Sequence, residues 1–111
     1  KFLIKNQYAN EIILNSSSET LIFPIHIKNF INFINNLEPN FNFFRYIKIN
    51  FFGNGILLKE YVDIFLSTIQ NQPRIIFKGK IKNKIMKSNS HFCLLPINYR
   101  KELTNHFNAE I

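Results

Sequence analysis

Between Asp63 and Glu102 the chain carries no acidic residue, while Arg74, Lys78, Lys80, Lys82, Lys84, Lys87, Arg100 and Lys101 give that stretch a charge of +8. The remainder sums to −1, so one continuous segment holds the whole excess behind the net charge of +7. Like charges at this density repel one another, and the lysine-rich part of the segment, Lys80 to Ser90, is too polar for core. An ordinary solvated surface mixes both signs. The segment therefore reads as a contact for a polyanion, either nucleic acid or an anionic membrane, with a merely solvated basic loop as the plainer alternative.

At 111 residues the chain is long enough for one hydrophobic core and too short for two, which excludes a large multidomain enzyme. Apolar residues make up 46% of it, enough to fill that core, so wholesale disorder is not expected. Ile, Asn, Phe and Lys supply 60 of the residues, against two Ala and three Gly. Those favoured residues have AT-rich codons, which points to the base composition of the gene, as in an organelle genome, rather than to a demand of the fold. No run of apolar residues approaches the length of a bilayer crossing, and the longest candidate, Leu21 to Ile34, is interrupted by Pro24, His26, Lys28, Asn29 and Asn32. The opening residues lack the charged-then-apolar order of a signal segment, and a start at Lys1 instead of Met points to an incomplete or processed sequence. Cys93 is the lone cysteine, which suits a reducing compartment and removes the disulfide-stapled class.

Short apolar runs at Phe2 to Ile4 and Glu11 to Leu14 read as strands, followed by a turn at Ser16 to Glu19. Ile27, Phe30, Ile31, Ile34 and Leu37 recur at helical spacing behind Pro24, predicting a helix over 24–37 that Pro39 stops. From Phe44 to Phe52 the pattern alternates, with Ile47, Ile49 and Phe51 on one face and Lys48 and Asn50 on the other, as in a half-buried strand. Gly53 to Gly55 end it, and Asn54 is the expected cap of a helix striped by Leu57, Leu58, Tyr61, Val62, Phe65 and Ile69. A strand at Arg74 to Lys78 leads into a polar, lysine-rich arm over 80–90, then a returning strand at Phe92 to Leu95 and a short helix over Tyr99 to Phe107. The order predicts an α+β fold: a ferredoxin-like split βαβ sheet with a long basic loop and an N-terminal strand-helix extension. Residues 1–43 form that extension, and residues 44–111 the α/β domain with its arm at 78–91.

The stretch from Tyr46 to Ile111 resembles the universal small-subunit ribosomal protein of the S-ten family. Ile47, Lys48 and Ile49 stand in place of that family's opening strand, and Leu57, Leu58 and Ile64 in its first helix. Lys78, Gly79 and Ile81 resemble the start of its loop, while Phe92, Leu94, Leu95, Pro96, Lys101 and Phe107 resemble the aromatic-aliphatic strand, proline, lysine and late aromatic that follow. Lys80 and Lys82 replace prolines of the family pattern, Ile97 replaces a histidine, and Thr104 a basic residue. The chain stops before the family's final helix and strand, whose place on the sheet falls either to the extension or to another chain. The resemblance implies a non-catalytic constituent of the small ribosomal subunit, lodged in its head and binding rRNA and neighbouring ribosomal proteins. A mitochondrion is the expected home, with a plastid as the other option. An accessory interaction subunit of an organelle membrane complex is the alternative from a different class, and a free nucleic-acid-binding module is a third.

The residues themselves support the same mechanism in weaker form. Along an extended arm Lys78, Lys80, Lys82 and Lys84 project to one side and neutralise successive phosphates. Asn83 adds hydrogen bonds to phosphate or ribose, and His91 stacks or donates. Arg74, Lys87, Arg100 and Lys101 complete the expected RNA-binding set, and the preponderance of lysine suits phosphate attraction more than base readout. His91, Cys93 and His106 invite a zinc reading but lack a fourth ligand, so no metal or cofactor is expected. Glu60 and Asp63 read as solvated helix carboxylates rather than an acid/base pair, and His26 as a surface or satisfied histidine. No nucleophile set or nucleotide fingerprint occurs, and neither an enzyme nor a small-molecule substrate is expected. Phe41, Phe43, Phe44, Phe51 and Phe52 read as core before base-stacking platform.

Overall fold

The computed structural model describes residues 1–36, 49–81 and 91–111, the side chains at 49, 50 and 91–94 excepted. Among these residues it is an α+β arrangement of four helices and three two-stranded ladders: α1 (Phe2–Lys5), β1 (Glu11–Leu14), β2 (Leu21–Ile22), α2 (Ile27–Asn35), β3 (Ile49–Gly53), β4 (Ile56–Leu57), α3 (Leu58–Leu66), β5 (Arg74–Phe77), β6 (His91–Leu95) and α4 (Tyr99–Glu110). Strand β1 runs parallel to β5, β2 antiparallel to β4, and β3 parallel to β6. Two of these ladders join the N-terminal third to the rest, so the extension is woven into the fold instead of appended to it.

Several expectations need correction. Phe2 to Ile4 forms a helical turn, not a strand; three adjacent apolar residues carry no period that separates the two. Helix α2 starts at Ile27 rather than Pro24, because the His26 imidazole Nδ1 accepts from the Lys28 amide and sets the N-terminus there. Asn54 does not cap α3. Its Oδ1 accepts from the Ile97 amide at 3.3 Å, and the first amides of α3 go elsewhere: Leu58 donates to the Thr20 carbonyl at 2.8 Å and Lys59 to the Ser18 carbonyl at 3.0 Å. Tertiary carbonyls thus satisfy orphan donors that a side-chain cap would otherwise meet.

The sense of the central pairing also differs. A split βαβ sheet returns its third strand antiparallel to its first, whereas Ile49↔His91 through Gly53↔Leu95 is a parallel register. Parallel neighbours need a long crossover, and the chain between Gly53 and His91, which includes α3 and β5, is long enough to supply it. The start of the expected strand, residues 44–48, and the body of the basic arm, residues 82–90, lie outside the described residues, as do Pro39, Phe41, Phe43 and Phe44.

The core lies between α3 and α4. Its buried residues are Val62, Ile64 and Phe65 of α3, Tyr99, Leu103 and Phe107 of α4, and Leu3, Ile12, Ile56 and Ile97. Phe65 and Phe107 are the largest fully buried side chains and meet edge to face, ring centroids 5.3 Å apart. Helix α2 buries no residue fully. Phe30 and Phe33 pack edge to face on Phe51, while Ile27, Ile31 and Ile34 form an exposed apolar stripe.

Candidate nucleic-acid interface

The described basic residues fall into three places. Arg74 opens β5 opposite Glu11 of β1, and the two side chains form an ion pair across the parallel ladder. Its charge is thereby partly matched within the protein, which weakens it as a phosphate contact. Lys78 and Lys80 leave the other end of β5, about 13 Å further along the strand. Both are exposed and neither has an ion-pair partner among the described residues. Arg100 and Lys101 are exposed on the first turn of α4, equally unpaired. Lys82, Asn83, Lys84 and Lys87 lie outside the described residues, and His91 is placed only as the backbone partner of Ile49.

Two local arrangements set these cations in position. Beyond β5, the Lys78 amide donates to the Leu14 carbonyl at 2.7 Å, and Gly79 follows at φ 118°, a left-handed backbone that favours glycine. There the chain passes so near the β1–β2 turn that a Cβ on Gly79 would lie 2.7 Å from the Asn15 carbonyl oxygen. The root of the basic arm is thus held against the N-terminal segment. At α4 the Asn98 side chain caps the Lys101 amide at 3.3 Å. Arg100 and Lys101 on this first turn face the positive end of the helix dipole, an electrostatically unfavourable place that a bound anion would relieve.

A concavity lies between α2 and α4. A hollow of about 240 Å³ that shares His26, Glu102 and His106 with it is also lined by Tyr61, Tyr99 and Leu103. The imidazoles of His26 and His106 meet edge to face at 5.6 Å, and Asn29 Nδ2 donates to Glu102 Oε2 at 3.0 Å. Among the described residues no three histidine, cysteine or carboxylate side chains gather as metal ligands. The polar groups here join the two helices.

Tyr99 Oη is buried and makes no hydrogen bond among the described residues. Burial pushes its phenol above the ordinary tyrosine range, the Gly55 backbone draws it part of the way back, and Glu102 adds to the rise. Burial alone raises Tyr61. An unfolded tyrosine loses its proton near pH 10, before these folded ones do, so the native state holds more protons above that pH. Stability is therefore fully present below about pH 10 and falls as the pH rises through the folded values. Urea unfolding across this range should show it, and Tyr61→Phe with Tyr99→Phe should flatten the decline; an unchanged slope in that variant would assign it to other groups.

Helices α3 and α4 and strands β5 and β6 follow the sequence reading. Glu11 as the partner of Arg74 and the seating of Gly79 on Asn15 were not visible there, because both depend on the long-range β1–β5 pairing. No helix among the described residues is long and apolar enough to cross a membrane. No protein-family model matches the chain, and no curated protein or solved structure matches it.

Proposed function

We propose that this chain is a structural constituent of the small subunit of an organelle ribosome, in a mitochondrion, and that it binds rRNA through the basic segment that begins at Lys78. The observation that carries this reading is the acid-free stretch from Ile64 to Lys101 with its eight cations. Four of them, Lys78, Lys80, Arg100 and Lys101, are exposed and free of internal ion pairs among the described residues, as phosphate contacts need to be. The S-ten resemblance supports the choice of assembly. The parallel β3–β6 pairing departs from a ferredoxin-like sheet, so charge and sequence motif support the reading, not strand topology. Neighbouring ribosomal proteins would cover exposed apolar surface such as Ile27, Ile31 and Ile34 of α2.

Sedimentation of an organelle lysate in magnesium, with the chain followed across the gradient before and after RNase, tests the assembly. Co-migration with small-subunit rRNA that RNase abolishes is expected; migration with a membrane complex, indifferent to RNase, would overturn the reading. For the arm itself, replacing Lys80, Lys82 and Lys84 by Gln should reduce the slope of log affinity against log salt by about 2 for single-stranded RNA. The circular-dichroism spectrum should stay unchanged. An unaltered slope would remove the arm from the contact.

A further inference from the structure

The parallel ladder between β1 and β5 ends abruptly where the arm begins. Its last rung is the Lys78 amide on the Leu14 carbonyl; the next two rungs of a regular parallel ladder would run from the Ser16 amide to the Lys78 carbonyl and from the Lys80 amide to the Ser16 carbonyl. Neither forms. Gly79, at φ 118° and pressed on the Asn15 carbonyl, turns the chain out of register at this point, and a Cβ on it would lie 3.5 Å from Ser16 Cα. The Ser16 and Lys80 amides, the Ser16 hydroxyl and the carbonyls of Ser16 and Lys78 are left without protein partners among the described residues. Donors and acceptors freed side by side, between two unpaired lysines, form a polar mouth that water or a ligand must fill.

We propose that this ladder mouth binds one ribose-phosphate unit of RNA, so that the N-terminal segment contributes to the nucleic-acid contact through Ser16. The proposal rests on the RNA-binding reading and extends it to a residue outside the basic segment. Phosphate oxygens accept from the Ser16 hydroxyl and the Ser16 and Lys80 amides, and the ammonium groups of Lys78 and Lys80 supply the attraction. The freed carbonyls need a donor, and phosphate has none; the ribose 2′-hydroxyl provides one, which gives the mouth a preference for RNA over DNA. Gly79 is a positioning residue, because only a residue without a Cβ lets the two backbones approach here.

Fluorescence anisotropy of the full chain with labelled oligouridine and the matching oligodeoxyuridine, over a salt series, tests this. Ser16→Ala should weaken RNA binding about three- to tenfold with its salt slope unchanged, since a neutral hydrogen bond releases no counterion. Its effect on DNA binding should be smaller. Lys78→Gln with Lys80→Gln should instead lower the slope by about 1.4. Gly79→Ala should match Ser16→Ala if its circular-dichroism spectrum and melting temperature stay native, and Ser16→Ala serves alone if they do not. If Ser16→Ala binds like the wild type while the lysine variant loses slope, the mouth falls and the basic contact stands. If neither variant differs from the wild type, the RNA-binding reading falls with it. Equal affinity for RNA and DNA would overturn the ribose contact.

Discussion

Phe107→Ala is expected to lower the unfolding free energy by about 3–5 kcal/mol, enough to leave a chain of this size marginally folded or unfolded at room temperature. Helix α4 is mostly polar, and it docks through three buried side chains spaced four apart: Tyr99, Leu103 and Phe107. Of these, Phe107 is 2% exposed and meets both Phe65, at 5.3 Å, and Tyr61, at 5.7 Å, edge to face. Truncation removes the apolar transfer term, both ring contacts and the support of Phe65, which is itself 0% exposed and has no other surface to collapse onto without moving α3. Urea unfolding followed by circular dichroism reads the result as a loss of about 2 M or more in midpoint at an ordinary slope. Glu110→Ala, at an exposed position three residues on, is the control and should stay within about 0.5 kcal/mol. A loss below about 1 kcal/mol for Phe107→Ala would mean that α4 is not docked on α3 as described.

That dependence also explains which parts of the molecule were legible in the amino-acid sequence. Helix α3 announces itself because Val62 and Phe65 repeat with the helical period and both are buried. Strand β3 does so because Ile49 and Phe51 alternate with Asn50 ahead of Gly53, where it ends. Two-residue strands such as β2 and β4 have no period to display, and they exist only because each lies beside the other. Strand sense is not written in any one segment. Isolated β3 and β6 have the same appearance whether parallel or antiparallel, so element order alone gives β6 the wrong direction. The same logic separates the two kinds of site information. A charge excess is a sum over residues and needs no fold to be read. The pairing of Arg74 with Glu11, and the place of Ser16 beside Gly79, arise from a ladder between residues some sixty positions apart, and only the folded chain brings them together.

The second large effect belongs to Gly53, where strand β3 ends. A Cβ there would overlap Tyr99 Oη and lie 2.7 Å from Ile97 Cδ1 and 3.0 Å from Tyr99 Cζ, so Gly53→Ala is expected to cost about 1–3 kcal/mol by overpacking. The site has little freedom to yield. Ile97 and Tyr99 are 8% exposed, and the Ile97 amide is tied to Asn54 Oδ1, one residue beyond the glycine. Tyr99→Phe alone should have the opposite sign, stabilising by about 1 kcal/mol, because the hydroxyl it deletes is buried without a hydrogen bond among the described residues. The two changes are then coupled. With the hydroxyl gone the worst overlap disappears, though Cζ and Ile97 still crowd the new methyl, so Gly53→Ala should cost at least about 0.5–1 kcal/mol less in the Tyr99→Phe background than in the wild type. A double-mutant cycle from urea midpoints measures that difference. Equal costs in the two backgrounds would show that the tyrosine hydroxyl does not rest on the glycine, and a destabilising Tyr99→Phe would show that the hydroxyl is hydrogen-bonded in solution. Should the cycle close as expected, the turn of Gly53 and Asn54 is the point at which β3 holds the start of α4, and with it Arg100 and Lys101, in place.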